Sequence, residues 1–381
     1  GHELAGVDLE SHPVAQDPQP PPPSRPVSYR FVHDRVQQAA YSLLSAEQRD
    51  AFHYRIGNEL LSRLREGERA EQLPHIVNQL NKGRGHIDDP AQQERVAALN
   101  LEAGRKAKAA AAFVPALHFF SMGVRLLPEG SWQELPQLTL ELHREQAECQ
   151  YLTGALTEAE RSFDALLIRD LPPLVKAEIY HVRLLLYTAI GKYDQAVAQG
   201  VAGLDLLGVR IDPSASVPSL LWEHLLIRLG LRLRPGGPAK LAELPRMEDP
   251  HQVQIQRLLV SLGTPTYLSG RDNLMALTNL KAVRLSLNHG NADASAYAYS
   301  GYGMLLASVF RSIGLGYEFA RLAQRLCEHS DALWFRSKTR FIVAIGTLHW
   351  KRPLREGLPP AHQAYRDSLD SGDNLFGCYL G

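Results

Sequence analysis

Two stretches of this chain, GALTEAERSFDALL (154–167) and GKYDQAVAQGVAGL (191–204), superimpose with Gly154 over Gly191 and Ala159 over Ala196, an offset of 37 residues. An earlier stretch, GRKAKAAAAFVPALHFFSMGVRLLP (104–128), places Gly104, Ala116, Phe120 and Pro128 in the same kind of pattern, with Ala116 lying 43 residues before Ala159. Internal repetition of this length constrains a chain more than any composition does. Each unit is one helical hairpin that cannot bury its apolar face alone and must stack on its neighbours. The small residues let the two helices of a hairpin approach closely, and the large apolar ones fill the groove against the next hairpin.

Those spacings are tetratricopeptide-like. Later units are looser: GYEFARLAQRL (316–326) and GLPPAHQAYRDSL (357–369) are matched through Gly316 and Gly357, 41 residues apart. The offsets exceed the ~34 residues of the standard repeat, so the sequence predicts a divergent, all-α, TPR-like α-solenoid of antiparallel helix pairs. From His33 onward, helical patterns of ten to twenty residues alternate with breaks such as NKGRGHIDDP, LPEGS, RDLPP, IDPSAS, RPGGP and NHGNAD, with no strand series among them.

The N-terminal part reads differently. Residues 1–28 have little apolar periodicity, and DPQPPPPSRP (17–26) predicts a flexible, extended polyproline linker. Its Pro20–Pro23 PxxP spacing suits an SH3-type ligand, but a spacer is the favoured reading. In YRFVHDRVQQAAY (29–41), Tyr29 and Phe31 alternate with Arg30 and Val32 as in a short strand, while Val36, Ala39, Ala40, Leu43 and Leu44 recur at helical spacing. His33 and Asp34 therefore sit at an expected strand-to-helix junction. At the other end, NLFGCYLG follows the last helical unit without a polar capping helix. The expectation is a helical superhelix over 66–381 that continues beyond the chain end and leaves an exposed apolar edge.

Charge and cysteine content exclude several function classes. Lys+Arg and Asp+Glu balance at 41 each, so no net field draws the chain to nucleic acid or an anionic membrane. No stretch approaches the ~20 uncharged apolar residues of a membrane span. Three cysteines, Cys149, Cys327 and Cys378, lie far apart and are odd in number, which predicts free thiols and a cytoplasmic protein. No nucleic-acid or membrane partner is expected.

Catalytic motifs are equally sparse. The one Gly-Lys pair, at Lys192, lacks the earlier Gly and following Ser or Thr of a P-loop, and the Gly83/Gly85, Gly301/Gly303 and Gly314/Gly316 pairs read as turns and helix contacts. The 15 histidines offer no HExxH or Cys/His set, so no metal site is predicted. Cys149, inside an amphipathic helix, reads as a core residue. In LLWEHLLIRLGLRLRP (220–235), Arg228, Arg232 and Arg234 suit a membrane-surface helix, but a packed helix with solvated arginines is preferred. HWKRPLRE (349–356) is basic but too short to specify a partner.

At YRFVHDRVQQAAYSLL the chain resembles the segment after the ATPase core in very large bacterial signalling proteins that combine a serine/threonine kinase-like domain, a STAND-type ATPase and a sensor histidine kinase. HIVNQLNKG, ERVAALNLEAGRKAKAAAAFVPAL, YTAIGKYDQAV, LSLNHGNADASAYAYSGYGMLLA and HWKRPLRE extend the resemblance over 29–381. It implies that 29–65 ends a winged-helix-like ATPase subdomain, and that 66–381 is a scaffold or sensor coupling the ATPase switch to the kinase output. The implied partners are the ATPase core and kinase domains of the same polypeptide and a protein or peptide effector. His33, aided by Asp34, would latch the phosphates of ADP only when an ATPase core is present. The other reading of His33 is a histidine that hydrogen-bonds backbone at a helix start. ATP/ADP and Mg belong to the parent protein; this chain is expected to hold no cofactor and to be non-enzymatic. Two alternatives remain: a fragment of an ATP-binding sensor histidine kinase or serine/threonine kinase whose catalytic domains lie elsewhere, and the sensor solenoid of a STAND transcription activator.

Overall fold

The computed structural model describes residues 33–234, 236–328 and 333–380. The expected linker over 1–28 and the expected strand before His33 lie outside the described residues. Among those described, regular structure is helical throughout, apart from one isolated parallel bridge pairing Arg246 with Asn291. The chain divides into two compact units, Gly1–Gln92 and Gln93–Gly381.

The first unit holds α1 (Asp34–Ser42), α2 (Ala46–Arg63) and α3 (Glu66–Lys82). α2 starts on a reciprocal cap: the Ser45 hydroxyl accepts from the Gln48 N–H, and the Gln48 side chain accepts from the Ser45 N–H. α2 and α3 pair through buried Leu61, Leu73, Ile76, Val77 and Leu80. Gly83, just past α3, packs on the α2 backbone at Asp50 and Tyr54, where any Cβ would collide. His53 bridges the Tyr41 hydroxyl (2.9 Å) and the Gln79 side-chain oxygen (2.6 Å), holding α1 to the α2–α3 pair.

The second unit runs from α4 (Pro90–Ala109), α5 (Phe113–Leu126) and the short α6 (Ser131–Glu134) through α7 (Pro136–Leu152), α8 (Leu156–Ile168), α9 (Pro173–Ala189) and α10 (Tyr193–Leu206). α7 packs on α8 and α9 on α10, so helices associate in sequential pairs. Ala116, Ala159 and Ala196 are all fully buried, as the aligned repeats require. The turns between paired helices are the same turn. Gly154 (φ 85°) and Gly191 (φ 78°) are left-handed, and the following N–H reaches back five residues, from Ala155 to Gln150 (2.8 Å) and from Lys192 to Tyr187 (2.9 Å). In the first repeat that position is Ala111, a non-glycine at φ 56°, with Ala112 bonding to Ala107 at 2.9 Å. Gly104 lies inside α4 beneath the Phe120 ring of α5, where a Cβ would clash, so it serves the close approach of the two helices rather than the turn.

Beyond α10 the pairing changes. α11 (Val217–Arg232) packs on α14 (Asp272–His289) rather than on a sequence neighbour, with α12 (Pro250–Ser261) and α13 (Gly263–Leu268) between them in the chain. Glu223 of α11 is buried against Lys281 (3.0 Å) and Arg284 (2.6 Å) of α14. Arg234 is not solvated as expected: it donates to the carbonyls of Gly230 and Leu287. The outward face of α11 is apolar, with Val217, Leu221, Trp222, Leu225 and Leu229 exposed and Leu233 exposed just beyond it. The α13–α14 junction repeats the turn found above, with Gly270 at φ 70° and Arg271 bonding to Thr266 at 2.8 Å.

Sequential pairs resume with α15 (Ser295–Ser308) on α16 (Ile313–Glu328), and α17 (Leu333–Phe341) on α18 (Leu358–Ser371), followed by α19 (Asn374–Leu380). Gly303 and Gly316 face each other backbone to backbone, each lying where a Cβ on the other would strike a carbonyl. Gly303 and Gly316 of the two GxG pairs here are thus helix contacts, whereas a Cβ on Gly314 would meet nothing. Between α17 and α18 lies a π-helical stretch, Ile342–Thr347. Within α19 Phe376 is buried, edge-on to Phe341 at 5.2 Å, while Cys378 and Tyr379 are exposed, as are Tyr365 and Leu369 of α18. Among the described residues no helix is long and apolar enough to cross a membrane.

Candidate functional site

A cavity of about 470 Å³ opens in the second unit, walled by α12–α13, α14, α15, the π-helical stretch and α19. Local sequence explains each wall. α12 gives way to α13 through Leu262, and the Thr266 hydroxyl folds back onto the Leu262 carbonyl at 2.6 Å. That turn leaves Gly263 and Thr264 on the cavity surface. On the opposite side, the π-helical turn brings Ile345 and Gly346 to the wall. π-turns inside helices concentrate at functional sites.

None of the lining residues carries a charge at neutral pH. The polar groups are few. Burial, with a smaller contribution from Asp373, pushes the Tyr297 phenol up to about 12, an effect the neighbouring Thr264 side chain partly offsets. Tyr297 is half-buried and lines the cavity. Asn279 donates from Nδ2 to the Ala298 carbonyl (3.1 Å), while its buried Oδ1 has no hydrogen-bond partner. Gly301 permits this, since a Cβ there would overlap the Asn279 amide. Tyr267, Ile345 and Tyr379 are exposed and form the rim.

The α19 wall is tied down by charge. Lys338 Nζ lies 3.5 Å from buried Asp373, the residue that precedes α19, and 5.3 Å from the centre of the Phe376 ring. Burial pushes the Lys338 ammonium down to about 8, and the nearby Asp373 carboxylate only partly offsets this. Behind α12, His181 bonds Ser261 Oγ at 2.9 Å, and its imidazole is pushed down to about 4 by burial, then by the Arg257 and Lys338 charges.

His33 is the N-cap of α1, with extended backbone and its Nδ1 accepting from the Arg35 N–H at 3.1 Å. It is exposed, and the side chain of its neighbour Asp34 lies outside the described residues. Cys149 and Cys327 are core residues whose thiols burial pushes up to about 12 and about 11. No group of His, Cys, Asp or Glu among the described residues is arranged to hold a metal ion. Sequence reasoning did not find the cavity. Its trace is the run of small and aromatic residues SAYAYSGYG (295–303) facing the uncharged FIVAIGT (341–347), a pairing visible only once α15 and the π-turn are brought together.

No protein-family model matches the chain. It is similar to "Hybrid signal transduction histidine kinase G" of Dictyostelium discoideum, 24% identical over 393 aligned positions that cover 92% of this chain. The chain spans only 11% of that protein's length. The similarity is distant and places the helical region alongside part of a signal-transduction histidine kinase.

Proposed function

We propose that this chain is a non-catalytic helical scaffold or sensor segment of a multidomain signalling protein, its TPR-like hairpins forming a solenoid that couples a STAND-type ATPase switch to a kinase output. One observation carries the reading: a signalling histidine kinase aligns with nearly the whole chain while the chain accounts for about a ninth of it. Partners are then the other domains of the same polypeptide, or a protein or peptide effector. Two surfaces fit that role. α1 and α2 expose Val36, Leu43, Phe52 and Ile56, and α11 exposes a stripe at four-residue spacing from Val217 through Leu221, Leu225 and Leu229 to Leu233. Apolar patches of this kind mark interaction surfaces.

His33 adds a nucleotide link to the proposal. Because Nδ1 accepts from Arg35, the neutral ring carries its proton on Nε2, which is free to donate to an ADP phosphate held by an ATPase core. The test is the full-length polypeptide carrying Leu225→Glu and Leu229→Glu. Nucleotide-dependent phosphorylation should change at least several-fold, with the kinase domain alone unaffected. Unchanged dependence on nucleotide would overturn the coupling role.

A further inference from the structure

We infer that the cavity between α13 and α19 is a binding site for a neutral, lipophilic small molecule bearing one hydroxyl or carbonyl group. This goes beyond the coupling role and stands or falls without it. About 470 Å³ lies within the range of pockets that enclose small organic ligands, roughly 300–1,000 Å³. Among the described residues no charged side chain lines the space, so an ionised ligand would be buried without a counter-charge. That excludes carboxylates, phosphates and amines and selects a neutral molecule.

The polar groups on the wall are hydroxyls and one amide, all uncharged. Tyr297 and Thr264 both line the cavity, and a hydroxyl can turn to accept from or donate to a ligand oxygen. Asn279 also lines the cavity, with its Nδ2 committed to the Ala298 carbonyl. Groups of this kind orient a ligand whose remainder sits among Leu, Ile, Met and Phe side chains. The space is also not a sealed packing defect, since Tyr267, Ile345 and Tyr379 remain exposed at its mouth. Glycine keeps it open: a Cβ on Gly263 would meet only Tyr297, with the hydroxyl at 3.7 Å and a ring carbon at 3.9 Å.

The far wall is also the part able to report occupancy. Phe376 and Tyr379 reach the cavity from α19, a helix of seven residues held at its start by the Lys338–Asp373 pair. A bound molecule adds contacts to both aromatic rings and slows opening of that helix.

The test uses the chain itself with N-phenyl-1-naphthylamine, a neutral apolar fluorophore, and 1-octanol or octanoate at pH 8 as competitors. One saturable site is expected. Octanol should displace the dye at a concentration at least tenfold below that of octanoate, and should slow hydrogen exchange across 374–380. Gly263→Leu, whose side chain enters the cavity without backbone strain, should weaken dye binding at least tenfold with unchanged circular dichroism. If that variant does not fold, Leu268→Trp is read in the same way. Tyr297→Phe should weaken displacement by octanol several-fold while leaving dye affinity in place. Absence of saturable binding, equal binding by the folded cavity-filling variant, or equally effective octanoate would each overturn the assignment.

Discussion

The shared turn after the first helix of each hairpin makes opposite demands on two residue types, and this can be tested reciprocally. Ala111 at φ 56° occupies the position that Gly154 and Gly191 occupy at φ 85° and 78°. An L-residue with a Cβ pays roughly 1–2 kcal/mol in the left-handed region. Glycine avoids that cost but brings about 0.4–1 kcal/mol of additional unfolded-state entropy. The balance favours glycine by about 0.5–1 kcal/mol. Around Gly154 a Cβ would meet no other atom, so backbone conformation alone decides the sign there. Ala111→Gly should therefore stabilise and Gly154→Ala destabilise by similar amounts. For a unit of this size each corresponds to a shift of about 1–3 °C in Tm. Thermal unfolding followed by circular dichroism, with urea midpoints alongside, measures both. Shifts in the same direction for the two variants would refute the equivalence of the turns.

Ala159→Leu and Ala196→Leu should each overpack a closed helix contact and cost roughly 1–3 kcal/mol, read from urea midpoints; unchanged midpoints would contradict the register of the repeats. Glu223→Ala strips two cations of their buried partner, and since Arg284 and Lys281 retain some solvent, a loss of about 1–3 kcal/mol is expected in the same assay. His181 has its native pKa depressed to about 4 from 6.5, so between those values the unfolded chain binds a proton that the native one does not. Stability should consequently fall as pH drops from 6.5 towards 4, by about 1–3 kcal/mol, and His181→Gln should flatten that slope; an identical slope in the variant would exclude His181 as its origin. If the proposed link to an ATPase core holds, His33→Ala in a polypeptide carrying that core should speed ADP release, one charge-assisted bond being worth roughly 1.5–3 kcal/mol, and exchange at the parent rate would leave His33 as a helix cap alone.

The helical character and the three repeats were legible because Ala116, Ala159 and Ala196 recur at contacts that admit no larger side chain. The turn of the first repeat is not legible, because Ala111 holds the left-handed position where Gly154 and Gly191 stand in the others. The α13–α14 junction went unseen for a related reason: Gly270 keeps the turn, but Met275 stands where the other hairpins have alanine. α11 is packed on α14 as its sequence predicts, and Arg232 is exposed, but Arg234 departs from the expected solvation. Arg234 is spent on the Leu287 carbonyl, and the inward face of α11 is anchored by Glu223 with Ile227, which leaves its leucines outside. The cavity belongs to no local pattern, since its walls come from five separated segments and its defining property, a shared surface without charge, exists only after they meet.

The distribution of thiols makes α19 individually addressable in the native sequence. Cys149 and Cys327 are buried with their ionisation suppressed, while Cys378 is exposed one residue from Tyr379 on the cavity rim. A maleimide spin label or fluorophore added to the folded protein at neutral pH would therefore attach at that one position, without mutating the other two cysteines. The natural chain already carries a site-specific spectroscopic reporter on the helix that closes the cavity.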